Sequence, residues 1–192
     1  MINVTIATKN FRFLFTVSEI LNKIEGIKSN HILPDEPVPN NTDIIITTEI
    51  EKKQISGEHI FIPKSFNRYY LYSNILLKAQ DRISFDLITI GIDPGKTTGV
   101  AIIAEDEVIV GVGEFFTAVD VVKEVISAYF NIETIKFEIK VGAGGVIVRD
   151  DIIKRLKGIF HENVSIKIEN EDISESWRFG TFLLDVQPDG RR

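Results

Sequence analysis

The stretch Gly91–Ala104, GIDPGKTTGVAIIA, carries an aspartate at the point where an apolar strand meets a glycine-rich turn. The residues before Asp93 are typical of a buried strand, and those after Gly99 indicate a second one. Pro94 and Gly95 are typical of the turn that joins them. A carboxylate in this position either begins the turn or is held there to bind a ligand.

Outward from this stretch, the pattern predicts a mixed sheet with helices on it. Strands are predicted over 85–93, 98–105, 107–115, 134–142 and 164–170, and helices over 117–130 and 150–160. Short turns join the first three strands, so these should form an antiparallel meander. Each later strand follows a helix, which predicts crossovers that make it parallel to the strand ending at Asp93. Thr117 and Asp120 resemble a capping box, and Asp150 and Asp151 are expected in the first turn of the second helix.

The first part of the chain has a different order of predicted elements, in which single strands alternate with helices. Strands are predicted over 2–7, 27–33, 43–48 and 59–63, with helices over 11–24 and 66–80. This alternation is typical of a parallel α/β sheet, so the fold class is α/β. We predict a small Rossmann-like or receiver-like domain at 1–82 and a second domain at 83–192. No glycine follows the first strand, which excludes a dinucleotide-binding fingerprint and favours a structural or partner-binding role.

Composition excludes several classes of protein. Of 192 residues, 44% are apolar and 26% are charged, which is ordinary for a globular protein. No stretch approaches the length of a membrane span, and no basic segment precedes an apolar one at the N-terminus. Cysteine is absent, so disulfides and thiolate metal sites are excluded. A cytoplasmic protein without a membrane partner is the expectation.

Charge is distributed unevenly between the two parts. Residues 1–85 hold 10 Lys and Arg against 9 Asp and Glu, whereas residues 86–192 hold 12 against 19. The acidic part is a poor non-specific binder of nucleic acid, because phosphate binding depends on clustered Lys and Arg. A divalent cation would neutralise part of the excess, although a solvated acidic surface explains the charge equally well.

Alternation along the strands places several acids on one face of the sheet. Ile88, Ile90 and Ile92 share one face of their strand, and Asp93 falls on the other. The same parity places Glu138 with Lys136 and Lys140 on the fourth strand, and Glu171 with Ser165, Lys167 and Glu169 on the fifth. If these parallel strands are neighbours, Asp93, Glu138 and Glu171 converge at one edge. Converging carboxylates repel one another unless a cation bridges them, and Mg²⁺ or Mn²⁺ prefers such oxygen ligands.

The stretch GIDPGKTTGVAIIAEDEVIVGVGEF resembles the opening of the RNase H-like fold, in the RuvC/YqgF branch of nucleases. That family begins with a strand ending in Asp-x-Gly, followed by a strand containing TGxA and a third antiparallel strand. The resemblance covers residues 85 to about 175. It implies a metal-dependent nuclease or Holliday-junction-resolvase-like protein that hydrolyses phosphodiester bonds in DNA or RNA with Mg²⁺ or Mn²⁺.

The resemblance also implies roles for individual residues. Asp93 matches the family's first metal-binding aspartate, and Glu171, in IENEDISES, matches its second acid. Glu138 matches the glutamate that RuvC-type resolvases use instead. The family's last acid lies on a C-terminal helix, a pattern that FLLDVQPDGRR lacks, so Asp185 or Asp189 would have to replace it. The catalytic set is therefore Asp93, Glu138 and Glu171, with Asp189 as the further metal ligand.

Other segments suggest contacts with the substrate. Lys96, Lys136 and Lys140 are candidates to meet a phosphate, and Gly144 and Gly145 in VGAGGV could form a backbone nest for it. SWRFGTF at 176–182 could stack a base, although such clusters more often belong to a core. His31, His59 and His161 are scattered and receive no role.

Two other functions remain open at this level. One is a non-catalytic module that keeps the fold and binds nucleic acid or a protein partner, which would suit the acidic charge and the absent last acid. The other is an actin-like nucleotide-binding protein, because DPGKTTG is also similar to the phosphate loop of actin-like ATPases and sugar kinases. A homodimer is compatible with all three functions, since the sequence does not fix the oligomeric state.

Overall fold

A computed structural model describes residues 1–161 and 164–169 of the chain. The chain divides into two compact units. The N-terminal unit comprises Met1–Phe85 with Phe130–Thr134, and the C-terminal unit comprises Asp86–Tyr129 with the described residues from Ile135 onwards. Within the described ranges, none of the helices has the length and apolar character needed to cross a bilayer.

The N-terminal unit is built on a four-stranded parallel sheet. Its elements are β1 (Ile2–Ala7), α1 (Phe11–Leu21), β2 (Ile27–Ile32), β3 (Ile44–Ile46), β4 (Ile60–Phe61) and α2 (Arg68–Ala79). The strands lie in the order β2-β1-β3-β4, and every neighbouring pair is parallel. The parallel α/β class predicted from the alternation of strands and helices is confirmed.

Apolar side chains of α1 and the central strands form the core of this unit. Phe13, Val17 and Leu21 of α1 are buried, and Leu14 and Ile24 are partly buried against the same core. Asn10 caps α1, because its side chain accepts a hydrogen bond from the Phe13 backbone N–H. Helix α1 therefore packs its buried residues against the central strands β1 and β3.

Glu51 is a buried carboxylate that ties together the loops after β1 and β3. It accepts hydrogen bonds from the Thr8 hydroxyl at 2.6 Å, the Lys9 backbone N–H at 2.6 Å and the Thr48 hydroxyl at 2.7 Å. Burial raises the pKa of Glu51, but these three hydrogen bonds together outweigh burial and lower it. The carboxyl ends of these two parallel strands, where small ligands bind in many α/β proteins, are engaged here by the chain's own carboxylate.

The C-terminal unit is built on a mixed five-stranded sheet. Its elements are β5 (Phe85–Asp93), β6 (Thr98–Ala104), β7 (Val108–Phe115), α3 (Ala118–Asn131), β8 (Thr134–Gly142), α4 (Val146–Phe160) and β9 (Ser165–Glu169). The strands lie in the order β7-β6-β5-β8-β9. The pairs β5–β6 and β6–β7 are antiparallel, and β8–β9 is parallel. The predicted meander is thus confirmed, and so is the mixed five-stranded sheet.

Contacts at both ends of β5 and β8 show that these two neighbouring strands run in the same direction. The Phe85 backbone N–H donates to the Glu133 carbonyl at 3.0 Å, next to the first residues of both strands. At the other end, a Cβ on Gly142 would lie 3.5 Å from the Asp93 carboxylate. The carboxyl ends of β5, β8 and β9 therefore meet at one edge of the sheet.

Helices cover the apolar face of this sheet. Ile88, Ile90 and Ile92 are fully buried on that face. The ring of Phe137 on β8 packs edge-on against Tyr129 of α3 at 5.1 Å, and Tyr129 also contacts Phe160 of α4. The predicted apolar face is buried along the middle of β5 and β8, but Ile135 at the start of β8 and Ile168 on the edge strand β9 are exposed.

Helix α4 begins four residues earlier than its sequence predicts. Gly145 adopts a left-handed backbone conformation with φ of 49°, and the helix starts directly after it, at Val146. The prediction of Asp150 and Asp151 in the first turn is therefore wrong, because the β-branched residues Val146–Val148 form that turn. The two acids instead pair with Arg149 and Arg155, at 2.9 Å each. The cap predicted for α3 is confirmed, since the Thr117 hydroxyl accepts from the Asp120 backbone N–H at 3.1 Å.

Candidate functional site at the carboxyl edge of β5

Five residues form one row across the sheet at the edge where β5 ends. The pairing of β5, β6 and β7 places Asp93 opposite Gly99, and Gly99 opposite Glu114. On the other side of β5, Gly142 lies beside Asp93 and is paired with Glu169 on β9. Paired residues point to the same face of a sheet. We call this line, Glu114–Gly99–Asp93–Gly142–Glu169, the carboxylate row.

Glycines separate the three acids of the carboxylate row. Neighbouring strands lie about 4.8 Å apart, so the Cα atoms of Glu114 and Glu169 are each roughly 10 Å from that of Asp93. Gly99 and Gly142 contribute no side chain to the intervening space. The Asp93 carboxylate therefore stands between two open positions, with an acid beyond each.

Asp93 has an exposed side chain without a polar partner in the described part of the chain. None of the hydrogen bonds or ion pairs among the described residues engages its carboxylate. The following Pro94 is buried, which anchors the turn, and Lys96 in the same turn is exposed. The end of β5 thus holds a carboxylate at a fixed backbone position without using it to cap the turn.

Glu138 lies on the same strand as Gly142 but away from the carboxylate row. Its four-residue separation from Gly142 corresponds to roughly 13 Å along a parallel strand. It is buried, and its carboxylate pairs with Lys136 at 2.7 Å and with Lys167 at 3.5 Å. The hydrogen bond from Lys136 lowers the pKa of Glu138 and outweighs the effect of burial, which raises it. The structure therefore does not bring Glu138 to Asp93, and two ammonium groups neutralise its charge.

Glu138→Gln is expected to make protein stability less sensitive to acid. Because the folded pKa of Glu138 lies below its ordinary value of 4.5, its contribution is complete above that value and declines as the pH falls through the folded pKa. Urea unfolding at a series of pH values would measure the slope. We expect a shallower acid slope for the variant and the wild-type slope for the control Glu107→Gln, at an exposed glutamate before β7. Equal slopes for the wild type and Glu138→Gln would contradict the ion pairs described above.

Lys140 and Glu169 connect the carboxylate row to the neighbouring residues of the polar face. Lys140 precedes Gly142 by two residues, so its side chain points to the same face. Its Nζ lies 3.6 Å from Oε1 of Glu169, and both side chains are about one-quarter exposed, at 26% and 28%. The ammonium group of Lys140 therefore lies beside Glu169, the last acid of the carboxylate row.

The glycine segment after β8 brings the start of α4 against the Asp93 turn. A Cβ on Gly145 would lie 2.8 Å from the Pro94 carbonyl carbon and 3.2 Å from the Gly95 nitrogen. Only glycine fits this approach, and the left-handed backbone favours glycine as well. Arg149 strengthens the segment by donating from Nη1 to the Ala143 carbonyl at 2.8 Å. Gly144, which lies between these contacts, is partly buried.

Several sequence-predicted residues lie outside the described residues. Glu171 and Asp189 are among them, as are Asp185 and the aromatic segment 176–182. Within residues 1–161 and 164–169, no three His, Asp or Glu side chains are close enough together to hold a metal ion. The four-acid metal site therefore stays a prediction.

Sequence reasoning missed two acids of the carboxylate row. Parity puts Glu169 on the polar face, but the family resemblance favours Glu171 as the acid of that strand. The sequence does not single out Glu114, because alternation along β7 does not give its pairing register. The register of β6 with β7, which has a shift between Ile102 and Ile103, decides which residue of β7 reaches the row.

Known proteins share little detectable similarity with this chain. No protein-family model matches the chain, and no curated protein matches it in sequence. Among solved structures, the chain is similar to Argonaute of Marinitoga piezophila in complex with 5′ OH guide RNA and target DNA, with 12% identity and a TM-score of 0.34. The match covers 88% of this chain and 39% of that chain, so this chain spans less than half of the Argonaute's length. A TM-score this low assigns neither a fold nor an activity.

Proposed function

We propose that the C-terminal unit binds Mg²⁺ or Mn²⁺ at the carboxylate row and hydrolyses phosphodiester bonds in DNA or RNA. The observation that carries this proposal is the exposed carboxylate of Asp93, which has no hydrogen bond or ion pair among the described residues and lies at the end of a buried strand between Gly99 and Gly142. The sequence around Asp93 also resembles the first strands of RNase H-like nucleases, which supports phosphodiester hydrolysis as the reaction.

The residues of the row suit a hard divalent cation. Asp93 and Glu169 offer carboxylate oxygens from either side of Gly142, and a Cβ there would take up the space between them. Glu171 is the further ligand that the sequence suggests. When bound, such an ion activates water and stabilises charge that develops on the phosphate.

Nearby groups of the chain would orient the substrate. Lys140 lies beside Glu169, and Lys96 is exposed in the turn directly after Asp93. Both carry the positive charge that a phosphate group requires. The backbone N–H groups at the start of α4 lie next to the same turn, and a helix N-terminus favours an anion. We propose that these groups hold the phosphate while the acids of the row hold the ion.

The direct test is cleavage by the wild-type chain. Branched DNA and structured RNA would be incubated with the protein and Mn²⁺, with a chelator as the control, and products resolved by denaturing electrophoresis. Calorimetric titration with Mn²⁺ measures binding independently. We expect Mn²⁺ binding together with cleavage that the chelator stops. Absence of both would overturn the proposal.

A second candidate is a non-catalytic module of the same fold. The observation that favours it is the neutralisation of Glu138 by Lys136 and Lys167, which leaves no three-acid group in the described part of the chain. This candidate predicts binding of nucleic acid or of a protein partner, without bound Mn²⁺ and without cleavage. The same titration therefore separates the two functions.

A further inference from the structure

Gly142, the last residue of β8, is a glycine that the described structure does not require. Its backbone is not in the left-handed region, unlike that of Gly26 and Gly145. A Cβ at this position would have its nearest neighbours at 3.5, 3.5 and 3.6 Å, which are ordinary van der Waals distances. A glycine in a strand weakens the strand, and such glycines mark bulges, bends or places where a ligand or another backbone approaches closely.

The nearest neighbour of that missing Cβ is the Asp93 carboxylate. A methyl group on Gly142 would lie 3.5 Å from Oδ1 of Asp93, with Pro94 Cδ at the same distance. On the other flank, a Cβ on Gly99 would meet only Asp93 Cβ, at 4.0 Å. The carboxylate thus leans towards Gly142, and the space beside its oxygen lies over that residue.

We infer that Gly142 is a positioning residue that keeps open the space in which a divalent cation contacts Asp93. This inference rests on the proposed function. Cations such as Mg²⁺ bind carboxylate oxygens at about 2.0–2.1 Å and retain several waters, so the ion and its waters need the volume that a side chain at 142 would fill. Glu169, paired with Gly142, borders the same space from the other side.

The charge around this space selects a cation. Asp93 and Glu169 border it, and the Lys140 ammonium group lies 3.6 Å from Glu169 Oε1. A divalent ion would compete with Lys140 for Glu169 and leave the lysine available to a phosphate. Carboxylate oxygens are hard donors, which favour small divalent metal ions such as Mg²⁺ or Mn²⁺.

Gly142→Ala tests the inference in the full chain by calorimetric titration with Mn²⁺ and by thermal unfolding without metal. We expect the affinity for Mn²⁺ to fall by about 10- to 100-fold, the range seen when groups that shape a metal site are altered. The melting temperature of the metal-free protein should stay equal or rise, since alanine restricts the unfolded chain more than glycine does. Weaker Mn²⁺ binding without a lower melting temperature would distinguish a metal-site role of Gly142 from a purely structural one.

Gly158→Ala is the control, because it adds the same methyl group inside α4, outside the carboxylate row, where the added Cβ would have no neighbour within 4 Å. It should bind Mn²⁺ as the wild type does. Wild-type affinity in Gly142→Ala would overturn the inference alone, and so would a fall in both affinity and melting temperature. No binding of Mn²⁺ by the wild type would overturn the inference together with the proposed function.

Discussion

Asp93→Asn is expected to abolish metal-dependent cleavage and to leave the protein folded. Asparagine keeps the shape of the side chain and removes its charge, so the loss falls on the cation that the carboxylate would hold. Stabilisation of transition-state charge by a bound ion contributes several kcal/mol, so the rate should drop by about a thousandfold or more. Cleavage of a labelled branched DNA in Mn²⁺ under single-turnover conditions would measure the loss.

Asp86→Asn provides the matched control for this variant. Asp86 is an exposed aspartate on the same strand, seven residues earlier, which is roughly 23 Å from Asp93 along the strand. Its replacement changes the net charge by the same amount and should leave cleavage unchanged. Thermal unfolding of both variants would establish that they fold. Equal activity of Asp93→Asn and wild type would exclude Asp93 as a metal ligand.

The strands of the C-terminal unit could be predicted because their alternation is regular. Ile88, Ile90 and Ile92 recur with a period of two, which is typical of a strand with one apolar face, and the same parity puts Asp93 on the opposite face. The direction of β8 and β9 followed from the helices that precede them. Local pattern and chain connectivity therefore determine most of this fold.

The carboxylate row could not be predicted, because it depends on register across strands. Parity puts Glu138, Glu169 and Glu171 on the polar face. It does not give their positions along the strands relative to Asp93. The pairing of Gly142 with Glu169 decides that Glu138 lies below the row, beside Lys136 and Lys167. Those two lysines were visible in the sequence, yet only the pairing of β8 with β9 brings both to one carboxylate.

Gly145→Ala is expected to destabilise the protein by about 3 kcal/mol or more. Two costs add at this residue: an alanine would be held in the left-handed region, and its Cβ would press on the Pro94 backbone, which cannot move as a side chain can. Because Pro94 follows Asp93, relief of this clash would also shift the proposed metal ligand. Urea unfolding would measure the loss of stability, and Mn²⁺ titration would measure the loss of affinity.

Gly158→Ala, inside α4, is the control for this variant, and it should have the opposite effect on stability. A Cβ on Gly158 would have no neighbour within 4 Å, and the residue lies inside α4, where glycine costs about 1 kcal/mol relative to alanine. The substitution should therefore stabilise the protein and leave Mn²⁺ affinity unchanged. If Gly145→Ala proved as stable as Gly158→Ala, the close approach of α4 to the Asp93 turn would be wrong, because that approach alone distinguishes the two glycines sterically.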